Sequence, residues 1–385
     1  MVVEGISVFT GRPVEIRTEG DTIVDIREID TPHRKLPYVG PAFLDMQVNG
    51  YRGRDYSSPA FDPSQVRPII EDLARAGTAI HVPTIVTGPQ EMIVRNLSLL
   101  VSAMKSDPLV ADAIAGFHIE GPYISAEDGP RGAHDRSWVR DPSKIEFEEW
   151  QDAAEGLVKI VTVAPERRGA IDFIRYITER GVIAAIGHTA AGCDMIAEAV
   201  KAGARLSTHL GNGSHAELPR LSNYIWEQLA CDSLQAGIIA DGFHLPPPVI
   251  KVFASAKGFE RLIIVSDAAP PAGNPSGVYR WNAIEAEVFP DGHIGLAGTP
   301  FLAGAGHLLD WDVPHFMRFT ASGLSDTLRL CTVNPARLLG FSSLFGNLQP
   351  GSPANLILFE YEDGMERLRI KRTLCSGRVV FSADA

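Results

Sequence analysis

Several things are scarce in this chain of 385 residues. Its four cysteines, Cys193, Cys231, Cys331 and Cys375, are scattered and form no Cys-x-x-Cys pair. That argues against a disulfide scaffold or a thiolate zinc site and points to reduced thiols in a cytoplasmic protein. No apolar stretch approaches the roughly 20 residues that span a bilayer, so no membrane partner is expected. The opening Met1-Val-Val-Glu-Gly lacks the basic segment and apolar run of a signal peptide. Positive charge is also short. Lys+Arg 35 against Asp+Glu 47 leaves −12, which argues against a nucleic-acid partner. An anionic substrate must then be captured by locally placed cationic groups. No low-complexity tract is visible.

What is present is apolar, at 45%, and regularly punctuated. Eight short apolar runs end in polar or glycine-rich residues, at 41–49, 79–86, 113–120, 159–166, 182–188, 205–209, 235–241 and 261–267. Such runs fit parallel strands buried on both faces. Helical patterns fill several gaps, as in Val66-Arg-Pro-Ile-Ile-Glu-Asp-Leu-Ala-Arg-Ala, and Gly77, Gly181 and Gly203 stand where helix stops are favoured. Strand–helix alternation repeated eight times predicts an α/β fold, a (β/α)8 TIM-like barrel rather than an open sheet.

The two ends read differently. Residues 1–38 and 346–385 carry short alternating segments such as Thr22-Ile-Val-Asp-Ile-Arg and Asn355-Leu-Ile-Leu-Phe-Glu. Isolated hairpins are marginal in water, so the ends are expected to combine into one small β module. The barrel domain is expected over 39–345. Pro32 and Pro37, then Pro350-Gly-Ser-Pro, mark the junctions, and Asp291-Gly292 marks a β-hairpin inserted near 277–297.

Four motifs place a carboxylate or imidazole at a strand end. They are Glu120 in Gly116-Phe-His-Ile-Glu-Gly-Pro, His188 in Ala185-Ile-Gly-His-Thr, His209 in Leu206-Ser-Thr-His-Leu and Asp267 in Ile264-Val-Ser-Asp-Ala. Active sites of (β/α)8 barrels lie at the C-terminal strand ends. Two imidazoles and a carboxylate suit Zn²⁺ or Fe²⁺ with an open position for water, without fixing the metal's identity. A single such histidine is more often a core residue, but three at matching strand ends favour a shared ion. Asp267 is a candidate general base and acid, or alternatively a helix cap, since Ala-Ala-Pro-Pro follows. His134 and His244 could each donate to a substrate oxygen or merely tie down a loop. Asp241 reads as a residue orienting a neighbouring imidazole, and His118 as packing beneath Glu120. Arg220 could clamp a phosphate or carboxylate, or form a surface ion pair. The segment Gly211-Asn-Gly offers backbone N–H groups to an anion. His33, His81, His293, His307 and His315 carry no catalytic weight.

At these residues the chain resembles the N-acetylglucosamine-6-phosphate deacetylases of the amidohydrolase superfamily. The likeness runs from Pro41-Ala-Phe-Leu-Asp to Gly346-Asn-Leu-Gln-Pro-Gly-Ser-Pro-Ala-Asn-Leu. Its most specific parts are His118-Ile-Glu-Gly-Pro, Gly187-His-Thr, Thr208-His-Leu-x-Asn, Ile239-Ala-Asp-Gly-x-His and Ser266-Asp-Ala-x-x-Pro-x-Gly. The resemblance implies a metal-bearing barrel with a β-sandwich from both chain ends. It implies Glu120, His188 and His209 as ligands of one divalent ion per subunit, Zn²⁺ being favoured over Fe²⁺ or another metal. It implies Asp267 as catalytic, and Ala133, His134, Asn212, Gly213, Arg220 and His244 as substrate-binding, with Arg220 at the phosphate. A homodimer is the family's common state.

Two departures stand out. Many amidohydrolases carry His-x-His at the first strand end, where this chain has Gln47-Val-Asn49. Amides are poor ligands, so a single-metal site is expected. The family's usual Tyr or Phe, Asn, Ala, Met becomes Gly211-Asn-Gly-Ser, and its usual Arg-x-Pro-Gly becomes Arg220-Leu-Ser-Asn. The expected reaction is deacetylation of an N-acetyl amino-sugar 6-phosphate. The alternatives are an amidohydrolase acting on an N-acyl amino acid or unphosphorylated amino sugar, and a catalytically silent barrel.

Overall fold

The computed structural model describes residues 1–30, 35–281 and 284–384, so Pro32, His33 and residues 282–283 lie outside it. The eight apolar runs form one sheet whose strand order is the chain order. The strands are β1 (Phe43–Val48), β2 (Thr78–Val86), β3 (Phe117–Glu120), β4 (Val158–Val163), β5 (Ile183–Ile186), β6 (Leu206–Ser207), β7 (Gln235–Ile238) and β8 (Leu262–Ile264). Each pairs with the next in parallel. The last seam is made just beyond β8, where Ala268 bridges Val48 and the Asp267 N–H donates to the Gln47 carbonyl at 3.0 Å. The result is a nearly closed parallel barrel, with every residue of β2 buried.

The helices between strands follow from apolar spacing. Val66–Arg75 buries Val66, Ile69, Ile70, Leu73 and Ala74, one stripe of a 3.6-residue period. It stops at Gly77, whose φ of +87° is the left-handed stop that glycine adopts without penalty. Tyr224–Ala230 starts where the Asn223 side chain accepts from the Ile225 and Trp226 N–H groups, both at 3.1 Å. That cap fixes the far end of the loop carrying Arg220. Among the described residues no helix is long and apolar enough to cross a membrane.

Both chain ends enter one seven-stranded sheet. Tyr38–Pro41 is the meeting strand, parallel to Val2–Ser7 on one side and antiparallel to Leu356–Glu360 on the other. Its separate core includes Val3, Ile16, Ile23, Val39, Leu356 and Leu374. Where a hairpin was expected, the strands Gly277–Trp281, Ile284–Val288 and Ile294–Leu296 form a three-stranded antiparallel sheet. Its inner face packs Trp281, Val288 and Ile294 on Ala269 and Ala272, just beyond β8. This sheet therefore borders the barrel mouth.

Candidate active site

Glu120 closes β3, while His188, His209 and Asp267 follow β5, β6 and β8. The backbone at the last three turns left-handed, with φ of +50°, +24° and +51°. Non-glycine residues there cost roughly 1–3 kcal/mol each and persist only where the surroundings impose them. Here the strain brings side chains from separate strands together. The His209 Nε2 lies 2.9 Å from Glu120 Oε1 and 3.1 Å from His188 Nε2, and His188 Nε2 is 3.3 Å from the same carboxylate oxygen. All three residues are buried.

These distances fit a cation. Ligands bound at about 2.0–2.2 Å around a tetrahedral ion stand roughly 3.3–3.5 Å apart, close to the spacings observed. The His188 Nδ1 faces the Pro130 carbonyl at 2.8 Å, so that nitrogen carries the hydrogen and Nε2 presents its lone pair to the cluster. Electrostatics agree. Burial opposes ionisation of Glu120, yet positive charge on the two imidazoles that face its carboxylate, and the hydrogen bond from His209, hold it well below the usual carboxylate range. Burial would lower His209, but Glu120 raises it to about 9. A point that draws a proton onto a buried imidazole is a point that favours positive charge. The donor set fits one divalent metal ion.

Gln47 and Asn49 have a role that sequence reasoning missed. The Gln47 side-chain amide donates to Glu120 Oε1 at 2.8 Å and to Asp267 Oδ1 at 3.0 Å, while Asn49 donates to Asp267 Oδ1 at 2.8 Å. One neutral amide thus bridges two buried carboxylates. Both donors use Oδ1, and no described residue hydrogen-bonds Asp267 Oδ2. Burial and the charge of Glu120 push Asp267 up to about 6. It is then ionised at neutral pH and ready to take a proton.

The surroundings hold these groups closely. A Cβ on Gly213 (φ +54°) would stand 2.6 Å from His188 Nδ1, and one on Gly132 3.3 Å from its Cε1. The loop therefore packs on His188 too closely for a side chain at Gly213. His118 is buried below, its Nε2 2.7 Å from the Thr162 hydroxyl, and burial lowers its pKa to about 4. Glu166, also missed, accepts from the Thr189 hydroxyl at 2.6 Å and the Ala190 N–H at 2.7 Å, pinning the turn beyond His188.

Of the other expected site residues, His134 is closest. Its ring centroid is 4.4 Å from that of His188, and one ligand atom each of Glu120, His134 and His188 lie within 4.8 Å of one another. The His134 Nδ1 pairs with the Thr87 hydroxyl at 2.8 Å, and burial with the charge of His188 lowers its pKa to about 3. His244 is held by Asp241, whose Oδ2 accepts from Nδ1 at 2.7 Å. Asn212 turns back to the His209 carbonyl at 3.2 Å. Ala133 sits on the loop beside His134. Arg220 is exposed, and among the described residues no hydrogen bond or ion pair links its guanidinium to the cluster.

The profile of the Amidohydrolase family matches residues 281–380. The N-acetylglucosamine-6-phosphate deacetylase of Bos taurus is 32% identical over 361 residues, covering 90% of this chain and 84% of its own. The chain belongs to this deacetylase family. The Bacillus subtilis member is 28% identical over 98% of this chain and 92% of its own. A Mycobacterium smegmatis deacetylase variant, solved with N-acetyl-D-glucosamine-6-phosphate, superposes with a TM-score of 0.87 at 27% identity over 99% of each chain. Family membership makes the protein a hydrolase acting on an amide, with a small-molecule substrate.

Proposed function

We propose that the protein deacetylates an N-acetyl amino-sugar 6-phosphate, N-acetylglucosamine 6-phosphate above all, giving acetate and the amino-sugar phosphate. The observation that carries this is the convergence of Glu120, His188 and His209 beside a buried, bridged Asp267 within the deacetylase family. Glu120, His188 and His209 would hold one divalent ion, for which two imidazoles and a carboxylate favour Zn²⁺. When bound, such an ion supplies Lewis-acid polarisation of the acetamide carbonyl and acidifies water.

The remaining work falls to the chain. Asp267 takes the proton of the attacking water on Oδ2, while Gln47 and Asn49 fix Oδ1. It then returns that proton to the departing amine nitrogen. His134 offers an N–H donor where the carbonyl oxygen becomes an oxyanion, and His244, its Nδ1–H given to Asp241, presents Nε2 to the substrate. Ala133, Asn212 and Gly213 line the sugar side of the mouth. Arg220 meets the phosphate, a local cation in a chain of net charge −12. A homodimer in the cytoplasm is the working assembly in this reading, and four free cysteines suit that compartment.

The altered 211–223 loop and the outlying Arg220 favour one second reading, an N-acyl substrate without phosphate. A substrate panel decides between them. Purified protein loaded with Zn²⁺ should release acetate from N-acetylglucosamine 6-phosphate far faster than from the unphosphorylated sugar or N-acyl amino acids. Arg220→Ala should lower kcat/KM for the phosphorylated sugar by about 10–100-fold, the size of a lost charge-assisted hydrogen bond, and spare the others. Equal rates with and without phosphate would remove the phosphate from the proposal.

A further inference from the structure

His244 is oriented by Asp241, yet nothing in that pair explains what holds the pair itself. The Asp241 Oδ1 accepts the Phe243 N–H at 2.8 Å and the His244 N–H at 2.9 Å, so the carboxylate closes a tight turn onto its own loop. Gly242, at φ +84°, allows that turn. Such a turn is self-contained and could swing as a unit. Two contacts from outside stop it. The Trp311 indole N–H donates to the Asp241 carbonyl at 3.1 Å. The Phe243 ring, between Asp241 and His244, lies 4.9 Å from His293 at 22° and 5.6 Å from His307 at 16°.

These rings belong to a longer column. His307 stacks on Trp311 at 4.1 Å and 8°, and on the other side His293 stacks on Phe289 at 4.2 Å and 4°. The His293 Nδ1 is also paired with Asp291 Oδ1 at 2.5 Å, which holds the imidazole in plane with its neighbours. Phe289 and His293 flank the connection between the last two strands of the inserted sheet, while His307 precedes the helix Leu309–Thr320 and Trp311 lies in its first turn. The column therefore spans three segments, and Phe243 sits inside it. Near-parallel rings at these separations resist both shear and tilt of the middle member.

We propose that the inserted sheet is a positioning element for His244, acting through the stacked rings of His293, Phe243, His307 and Trp311. His293 and Phe243 are its positioning residues. Their rings fix the 241–244 loop against Trp311 and so set where the His244 imidazole meets substrate. The inference rests on the reading of His244 as a substrate contact.

The test uses full-length Zn²⁺-loaded enzyme, with acetate release from N-acetylglucosamine 6-phosphate as the readout and metal content and melting temperature in parallel. His293→Ala should lower kcat/KM by about five- to tenfold, the size of one aromatic pair, with metal content unchanged. His293→Phe keeps the ring and should restore most of that loss. In an H244N background, His293→Ala should cost no further activity, because its effect passes through His244. A drop in melting temperature without the kinetic loss, no rescue by phenylalanine, or additive losses in the double variant would each overturn the proposal. If H244N alone leaves kcat/KM intact, the failure lies with the substrate-contact reading instead. If wild-type enzyme releases no acetate, the proposed function itself fails.

Discussion

Replacing Gln47 with leucine removes the amide that ties Glu120 to Asp267 and keeps a side chain of similar bulk. Two hydrogen bonds to carboxylates disappear, at 2.8 and 3.0 Å, both in the buried interior. Hydrogen bonds to charged groups contribute about 1.5–3 kcal/mol each, so about 3–6 kcal/mol of support for the two negative charges is withdrawn. The metal-free protein should bear most of this loss, since among the described residues no other side chain bridges the two carboxylates. Bound cation offsets the part at Glu120, so calorimetry at pH 7.5 should show a larger fall in melting temperature for stripped than for Zn²⁺-loaded variant. The pH profile gives an independent readout. Asp267 must be ionised to accept a proton, and a lost donor destabilises its charged form and raises its pKa. The acidic limb of kcat/KM should move to higher pH, by about 1–2 units for one such bond. A variant with unchanged limb and equal melting shifts in both metal states would refute the bridging role.

Three further outcomes are expected. Asp267→Asn should leave metal content intact and lower kcat by about 10²–10⁴-fold, measured as acetate release; near-normal turnover would remove it from proton transfer. Gly213→Ala should push on the His188 ring from 2.6 Å and weaken Zn²⁺ binding by about 10–100-fold, the cost usual for a disturbed ligand support; competition with a chelator measures it, and unchanged affinity would show that the loop gives way. His81 is buried between the Tyr56 hydroxyl and the Ala113 carbonyl, and burial lowers its pKa to about 4. Above pH 6.5 it is neutral whether folded or not, and no penalty exists. As pH falls from there toward 4, only the unfolded chain gains the proton, so stability is lost, by about 3 kcal/mol in all. Denaturant titrations of wild type and His81→Gln should differ in that slope and agree at pH 8, and parallel slopes would contradict the assignment.

Much of the barrel was legible because each strand is a short apolar run closed by a polar or glycine residue. The positions of Glu120, His188, His209 and Asp267 could be read for the same reason, since β-branched runs ending in titratable groups are unusual. The work of Gln47 and Asn49 could not. An amide's value depends on which carboxylates face it, and Glu120 and Asp267 face Gln47 only because the first and last strands meet at the barrel seam. Gly213 was legible as a flexible anion contact but not as a space against His188, because that contact comes from a separate strand. The ring column was invisible, since Phe243, His293, His307 and Trp311 share no periodicity and come from three segments. Arg220 was read from spacing to His209, which says nothing of how far an exposed loop carries it.

The seven-stranded sheet has a consequence for biosynthesis. Tyr38–Pro41 waits, with one backbone edge bare, until Leu356–Glu360 leaves the ribosome. Val2–Ser7, Pro13–Glu19 and Thr22–Glu28 can pair early, but Val39 gains its partners Leu356 and Leu374 only after the whole barrel has been translated. The nascent chain thus carries an open strand edge through synthesis of the entire barrel, the species most exposed to intermolecular strand pairing. Truncation before Leu356 would leave that edge bare for good, so such variants should accumulate as aggregates rather than as active, shortened enzyme.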